Sequence, residues 1–190
     1  MAAEFIKKKA TELFAEQLEK EFSSKDFVVF LCGPTLKDLT LPGAKLRKQL
    51  KEQFEGEGFD VVLGEDDGLE EPRLKFDLYA HENELRFIEN HCGAVVLVAT
   101  SVGAFCELGL FSYKKSHDVN HPDIILIVDE KYKDDKSYFN EGPAAAVEDH
   151  GKVFFGNLDD FDISPIIKRL RRRRTVYSTD KIGRPPGKMV

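Results

Sequence analysis

One stretch, residues 93–113, limits the folds open to this chain more than any other. Its first part, Ala94–Val98, is a run of apolar residues with the length and β-branched content of a buried strand. Thr100, Ser101 and Gly103 interrupt the run, and apolar residues then recur at helical spacing through 105–111. A buried strand, a short polar turn and a helix form the repeating unit of open α/β sheets, which place ligand sites at the carboxyl ends of their strands.

Glu107 lies in the helical part of this stretch, with Phe105, Cys106 and Leu108 as neighbours. A carboxylate in apolar surroundings costs free energy unless it is paired or used. Such a group can attack an electron-poor sugar carbon, or it can stabilise an oxocarbenium-like transition state. The spacing favours neither mechanism, and the competing interpretation is a solvated residue on the helix surface. Amide groups at the start of this helix, near Gly103, favour an anion such as a phosphate.

The rest of the chain repeats the alternation of strand and helix. Apolar runs predict strands at 27–31, 59–63, 94–98, 123–128 and 153–155. Helical periodicity predicts helices at 2–22, 44–54, 74–91, 103–113, 144–149 and 161–170. An acidic loop is predicted at 64–68, and Pro72 is expected to close this irregular region. This order predicts an α/β fold, in which a parallel sheet of about five strands carries helices on both faces, with an amphipathic N-terminal helix.

Composition excludes several classes of protein. No apolar run approaches the ~20 residues that a membrane span needs, and the N-terminus is lysine-rich rather than secretory. Of the three cysteines, Cys32 and Cys106 lie in apolar stretches, which predicts reduced, buried thiols and a cytoplasmic location. No spacing typical of a metal site occurs, so no metal is expected.

Positive charge is concentrated at the C-terminal end. Residues 168–190 contain nine Lys or Arg and one acid, whereas the whole chain carries −6. A general nucleic-acid-binding fold would be basic over its folded surface, which this chain is not. We interpret Arg171–Arg174 as part of a solvated tail, with contact to a nucleic acid or an acidic partner as the alternative. Three parts are therefore predicted: a helix at 1–25, an α/β domain at 26–172 and a basic, mobile tail at 173–190.

Three strand ends converge if the sheet is doubly wound: Gly33-Pro34-Thr35, the acidic loop and Ser101–Glu107. Two of them resemble the nucleoside 2-deoxyribosyltransferases. Phe30–Pro34 (FLCGP) is similar to the strand and Gly-Pro turn that opens those enzymes. Gly103–Gly109 (GAFCELG) is similar to their G-x-x-x-E-[IL]-G segment, whose Glu attacks the anomeric carbon of the sugar.

The resemblance is closer to one branch of that superfamily, the toxin-like effectors that accompany bacterial retrons in phage defence. The segment Lys133–Pro143 follows in the same order as a K-x-x-[KR]-S-[FY]-x-N-x-G-P-like segment of that branch. The likeness spans residues 27–158 and implies a flavodoxin-like or Rossmann-like doubly wound sheet. It also implies that Glu107 is the catalytic residue and that Asn140 reaches the sugar, in some relatives from a neighbouring subunit, so we expect a homo-oligomer.

The resemblance implies six substrate-binding residues: Gly33, Pro34, Glu84, Ser101, Gly103 and Asn140. Glu84 would contact the base, or Glu82 would do so if the register differs. From the residues alone, a solvated charged helix face that includes Glu89 is an equal alternative. Ser101 stands where the transferases carry an Asp, and its other interpretation is a helix cap.

The transferases also often carry a Tyr near the first loop, and residues 35–40 contain none. These two departures favour hydrolysis over base exchange. We expect an N-glycoside hydrolase that cleaves the base–sugar bond of NAD or a (deoxy)nucleotide and acts as a toxin effector in phage defence. No cofactor is expected, and NAD, if bound, is a substrate. The alternatives are a nucleoside 2-deoxyribosyltransferase, a non-catalytic nucleotide sensor, or an interaction module that uses its two termini. A regulatory protein or a nucleic acid is the expected macromolecular partner, and no membrane is expected.

Overall fold

The computed structural model describes residues 9, 12–14, 16–18, 26–118 and 121–180. Five parallel strands form one sheet in the order β2-β1-β3-β4-β5. The strands are β1 (Val28–Cys32), β2 (Asp60–Leu63), β3 (Cys92–Val98), β4 (Asp123–Asp129) and β5 (Lys152–Gly156). The helices are α1 (Pro42–Gly56), α2 (Asp67–Lys75), α3 (Ala80–His91), α4 (Val102–His117), α5 (Ala145–His150) and α6 (Ser164–Asp180). A 3₁₀ turn, Glu130–Tyr132, and a π-helical turn, Asn140–Ala144, follow β4.

Alternation along the strands divides the core into two layers. Val29 and Leu31 of β1 pack against α1 and α6, whereas Phe30 and Cys32 pack against the face covered by α3, α4 and α5. Because both faces of the sheet are covered, the central strands are almost continuously apolar. This is the Rossmann-like α/β architecture that the sequence predicts, and the prediction of fold class is confirmed.

The strand order places a crevice between β1 and β3. The chain leaves β1 towards α1 on one face and leaves β3 towards α4 on the other, which makes this pair the switch point of the sheet. Leu31 is level with Leu63 of β2 and with Val96 of β3. The loops after all three strands therefore start at the same edge, which we call the carboxyl edge.

The single helix predicted at 74–91 is wrong. The structure has two helices there, because Asp77 adopts φ 51°, a left-handed conformation that a short polar residue tolerates and a helix does not. The first of them, α2, begins at Asp67 inside the predicted acidic loop and contains Pro72. Its anchor to the core is Leu69, which is buried.

The last helix extends further than predicted. It runs to Asp180, whereas the predicted helix ended at 170 and the predicted tail began at 173. Arg174 is buried and its guanidinium lies 4.3 Å over the ring of Phe59, so this member of the arginine run is packed against the core, while Arg171–Arg173 are exposed. Residues 181–190 lie outside the described residues, as does most of the predicted helix at 2–22, of which 12–14 and 16–18 are helical.

Two further predictions concern the thiols and the membrane. Cys32 and Cys92 are buried, but Cys106 is exposed, so the prediction of a buried Cys106 is wrong. Cys106 precedes Glu107 on α4, and its position on that helix turns it away from the sheet. In the part of the chain that the structure describes, none of the helices combines the length and apolar character required to cross a membrane.

Candidate functional site

A cavity of about 410 Å³ opens at the carboxyl edge, around the ends of β1 and β2. Its other walls come from α1 and α2 and from the first two turns of α3 and α4. The volume is in the range of small-molecule sites. The lining residues used below are Cys32, Gly33, Arg47, Gly64, Glu65, Arg73, Asn83, Glu84 and Glu107.

Two glycines allow the walls to approach each other. Gly33 has φ +149°, and a Cβ there would lie 3.1 Å from the Cβ of Val98 and 3.2 Å from its carbonyl oxygen. A Cβ at Gly64 would lie 2.9 Å from Oε1 of Glu84. The Gly-Pro turn after β1 is thus a steric requirement as well as a sequence motif.

A buried arginine connects the ends of β1 and β2. Arg47, on the inner face of α1, is 2% exposed. Its Nη1 donates to the carbonyl of Pro34 at 3.0 Å, and its Nη2 donates to that of Leu31 at 2.8 Å. The same two nitrogens bind both carboxylate oxygens of Glu65, at 2.7 and 2.8 Å. This bidentate pair joins α1 to both strand ends.

Glu107 is a carboxylate of this cavity that forms no ion pair with any residue that the structure describes. Its Oε2 is buried and has no hydrogen-bond partner among the residues that the structure describes. Burial raises the pKa of Glu107, the charge of Arg47 opposes that rise, and the charge of Glu65 adds to it. A hydrogen bond from the Cys32 thiol favours the ionised form. Burial holds the pKa of that thiol well above its usual value, so it stays protonated and can donate.

Glu84 is the second carboxyl in the cavity. Burial raises its pKa to about 7, and the charges of Glu107 and Glu65 add to the effect while Arg47 opposes it. Glu84 is therefore about half protonated at neutral pH. A carboxyl that can hold a proton near neutral pH, in the same cavity as a second carboxyl, is the kind of pair that acid–base chemistry uses.

The side of the cavity away from the strands is formed by α2. Arg73 lines it, with Nη2 2.8 Å from Oε1 of Glu70 in the same helix. Asn83 of α3 donates from Nδ2 to the carbonyl of Leu69 at 2.7 Å, which ties α2 to α3. Within the described ranges no three His, Cys, Asp or Glu side chains are grouped as a metal site.

The seven predicted site residues divide into two groups. Gly33, Glu84 and Glu107 line the cavity, and Pro34 is buried beside them with its carbonyl bound to Arg47. Glu82, the alternative to Glu84, is exposed.

The other three residues are not among those that line the cavity. Ser101 is the N-cap of α4, since its Oγ accepts from the amide of Ala104 at 3.3 Å, and Gly103 lies in the first turn of that helix. Asn140 donates from Nδ2 to the carbonyls of Tyr132 and Asp135, at 2.5 and 2.6 Å, and so holds the loop after β4.

Arg47 and Glu65 are the site residues that sequence reasoning missed. In sequence, Arg47 is one of several charges in the helix predicted at 44–54. A signal was present, because Arg47 shares a helix face with Ala44 and Leu50, both of which are fully buried. An arginine on a core-facing stripe predicts a buried partner, but not which one.

Neither the curated proteins nor the solved structures contain a match to this chain. The likeness to nucleoside 2-deoxyribosyltransferases therefore remains a prediction. A family model does match: that of the STM3845 retron effector protein, over residues 43–184. The matched region contains Arg47, Glu65, Glu84 and Glu107. Because the match covers more than half of the sequence, the chain belongs to the STM3845 retron effector protein family.

Proposed function

We propose that this retron effector is an N-glycoside hydrolase that cleaves the base–sugar bond of NAD or a (deoxy)nucleotide. The observation that carries the proposal is Glu107, whose Oε2 is buried without a partner in a cavity that also holds Glu84. An unsatisfied buried oxygen is costly. An electron-poor sugar carbon, or a sugar hydroxyl, would satisfy it.

Glu107 is proposed as the nucleophile or charge stabiliser. As the bond between the anomeric carbon and the base nitrogen breaks, its electron pair stays on the nitrogen, and positive charge develops on the sugar. A Glu107 oxygen either bonds to that carbon or stabilises the charge, and water then supplies the new hydroxyl. Arg47 favours the ionised form of Glu107 that either role requires.

Glu84 is proposed as the general acid. A carboxyl with a pKa of about 7 has a proton to donate near neutral pH. For a neutral nucleobase, that proton goes to the departing nitrogen, so cleavage should slow as the pH rises above about 7. Nicotinamide is cationic in NAD and leaves as a neutral base without a proton. Cleavage of NAD should therefore not slow over the same range, and the sign of the pH dependence identifies the substrate class.

Family membership supports the biological side of the proposal. A retron effector acts in phage defence, and loss of NAD or of a nucleotide pool would stop the host cell in which a phage replicates. Such an activity has to be restrained in uninfected cells. A regulatory protein or nucleic acid, or a change in assembly, is the proposed means of restraint.

The test is incubation of purified protein with NAD and a panel of nucleosides and nucleotides, with released base measured by chromatography. We expect release from at least one substrate, with a loss of about 10³-fold in Glu107→Gln. The matched control is Glu82→Gln, which removes an exposed carboxylate near the site and should retain wild-type rates. Equal rates in Glu107→Gln and the wild type would contradict the proposal.

Two other functions are distinguished by the same assay. A transferase would release base faster, or return a new nucleoside, when a second base is added as acceptor. A sensor would release nothing, yet its melting temperature would rise with the same ligands, and Glu107→Gln would abolish that rise. The position of Ser101 as a helix cap, where transferases carry a sugar-binding Asp, favours hydrolysis over transfer.

A further inference from the structure

We propose that Arg47 is the positioning residue of this site and that, with Glu65, it forms a clamp that sets both the shape and the charge of the cavity around Glu107. This inference rests on the proposed function, because it gives Arg47 a part in the reaction of Glu107. Arg47 acts through neighbouring groups and is not assigned a contact with the reacting bond.

The geometry of the clamp requires an arginine. Its guanidinium binds the carbonyls of Leu31 and Pro34 and both oxygens of Glu65, in four hydrogen bonds of 2.7 to 3.0 Å. Lysine presents a single ammonium group and cannot make this planar, two-sided set. The backbone between the two carbonyls contains Cys32 and Gly33, both of which line the cavity. The clamp therefore fixes the cavity wall opposite α2.

Stability alone does not account for a charge at this depth. Arg47 is 2% exposed and its Nε is buried with no hydrogen-bond partner in the part of the chain that the structure describes. Burying an ion is costly even when it is paired, and apolar side chains often replace buried ion pairs without loss of stability. A role for Arg47 in the site accounts for a buried charge that the stability of the fold does not require.

The two members of the clamp act in opposite directions on the carboxyls. The positive charge of Arg47 lowers the pKa of Glu107 and of Glu84, whereas the negative charge of Glu65 raises both. Removal of either member breaks the same ion pair and loosens the same wall. The two removals should nevertheless shift the titration of the carboxyls in opposite directions, which a purely structural role would not produce.

The experiment compares Arg47→Gln, Arg47→Lys and Glu65→Gln with the wild type. Two readouts are used: the pH profile of base release, and the titration of carboxyl groups followed by NMR on Glu-labelled protein. We expect Arg47→Gln to move the midpoints of Glu107 and Glu84 upward by roughly 1 pH unit, and Glu65→Gln to move them downward. Arg47→Lys should keep the midpoints and lose about tenfold in kcat, since it keeps the charge but not the geometry.

The matched control is Lys48→Gln, the neighbouring residue on the exposed face of α1, whose side chain is 50% exposed. It removes the same charge from the same helix and should move neither midpoint. Midpoints that stay in place in both Arg47→Gln and Glu65→Gln, or that move in the same direction, would overturn the inference. Glu65 is on the surface at 49% exposure, so its variant provides the test even if Arg47→Gln does not fold.

The NMR titration keeps this inference separate from the proposed function. If the wild type releases no base from any substrate, the hydrolase proposal fails. The titration midpoints are still measurable in that case. Midpoints that shift in opposite directions in the two variants would then still support the inference that the clamp sets the charge of the cavity. Unchanged midpoints would contradict it.

Discussion

The two edges of the sheet use buried ionic side chains in different ways. At the carboxyl edge, Arg47 is bound to Glu65, while Glu84 and Glu107 share the cavity without a cation of their own. At the opposite, amino edge, a buried carboxylate is fully paired. Asp123, at the start of β4, accepts from Arg169 at 2.7 and 2.8 Å, and its Oδ1 lies 3.1 Å from Nη2 of Arg173.

The arginines of the amino edge all come from α6. Arg171 donates from Nε to Glu57 at 2.7 Å. Arg174 donates to the carbonyls of Glu57 and Gly58, at 3.2 and 3.1 Å, and covers the ring of Phe59. These contacts fasten the last helix to the start of two strands. Arg171, Arg173 and Arg174 of the run that was interpreted as a solvated tail therefore make contacts within the molecule.

The difference between the edges determines what a mutation should do. Where a buried charge is satisfied, removing one partner leaves the other uncompensated and destabilises the fold. Where a carboxyl is buried without a partner, it is itself the destabilising group, and neutralising it should stabilise the fold. The same kind of substitution therefore has opposite signs at the two edges.

The largest effect is expected at Asp123. Asp123→Ala leaves Arg169 and Arg173 without their shared carboxylate, whose side chain is 4% exposed. We expect the free energy of unfolding to fall by about 3 kcal/mol, measured by urea denaturation at pH 7. Asp159→Ala is the control, because that side chain is 60% exposed, and it should change stability by less than about 0.5 kcal/mol. A similar small change at Asp123 would show that the amino edge is not held by this cluster.

The arginine run gives the next largest effect. Arg174→Ala removes two hydrogen bonds to backbone carbonyls and a cation–π contact with Phe59, and should cost about 2 kcal/mol by the same measurement. Arg172→Ala removes an exposed member of the same run and should cost less than about 0.5 kcal/mol. A loss in Arg174→Ala as small as that in Arg172→Ala would restore the interpretation of the run as a solvated tail.

The contrast between the edges also explains what the sequence could predict. The five strands and the helices at 44–54, 103–113 and 144–149 were predicted within a few residues, because apolar runs such as 94–98 and 123–128 carry their signal locally. The arginine run was misread because its partners are far away in sequence. Arg171 and Arg174 contact Glu57, 114 and 117 residues earlier, and periodicity within a helix does not reveal such a partner.

Helix α2 was missed for a related reason. It contains Pro72, and Leu74 is exposed, so it lacks an amphipathic pattern. Its placement depends on the burial of Leu69 and on the hydrogen bond from Asn83, both of which are tertiary contacts. Local propensity is a weak prior that such contacts override.

The site was predicted only in part. Glu107 and Gly33 lie in motifs whose spacing is local, whereas Glu84 was predicted from the family resemblance alone, with Glu82 as the alternative. Arg47 and Glu65 lie 18 residues apart, and their pairing exists only after the sheet brings α1 beside the end of β2. A sequence motif can identify a single site residue, whereas a pair such as Arg47 and Glu65 becomes recognisable only when the fold brings the two side chains together.

At the carboxyl edge, Glu84→Gln should stabilise the protein, by an amount that grows as the pH rises from about 5 to 7 and is complete at pH 8. The folded state holds the pKa of Glu84 at about 7, above the usual 4.5, so it binds more protons than the unfolded state between these values. Stability from this group is therefore present at pH 5 and is lost as the pH rises towards 7. Because the carboxyl is partly solvated, we expect a gain of about 1.5 kcal/mol in Glu84→Gln at pH 8 and almost none at pH 5. Urea denaturation at pH 5 and at pH 8 measures this gain in stability, with Glu82→Gln as the control. Equal gains at the two pH values would contradict the raised pKa of Glu84.

The smallest predicted effect on the fold concerns Gly64. A Cβ at this position would lie 2.9 Å from Oε1 of Glu84, the end of a flexible side chain, so the carboxyl can move aside and the fold should lose less than about 1 kcal/mol. The site should be affected more than the fold, because a displaced Glu84 donates its proton less well. We expect Gly64→Ala to slow the release of a neutral base about fivefold, or about 1 kcal/mol in activation free energy.

Gly68→Ala is the control, since a Cβ there meets nothing within 4 Å. An equal loss in both variants would assign the effect to helix α2 rather than to Glu84. A loss confined to Gly64→Ala would show that the carboxyl edge depends on the placement of a single acid, whereas the amino edge depends on complete pairing.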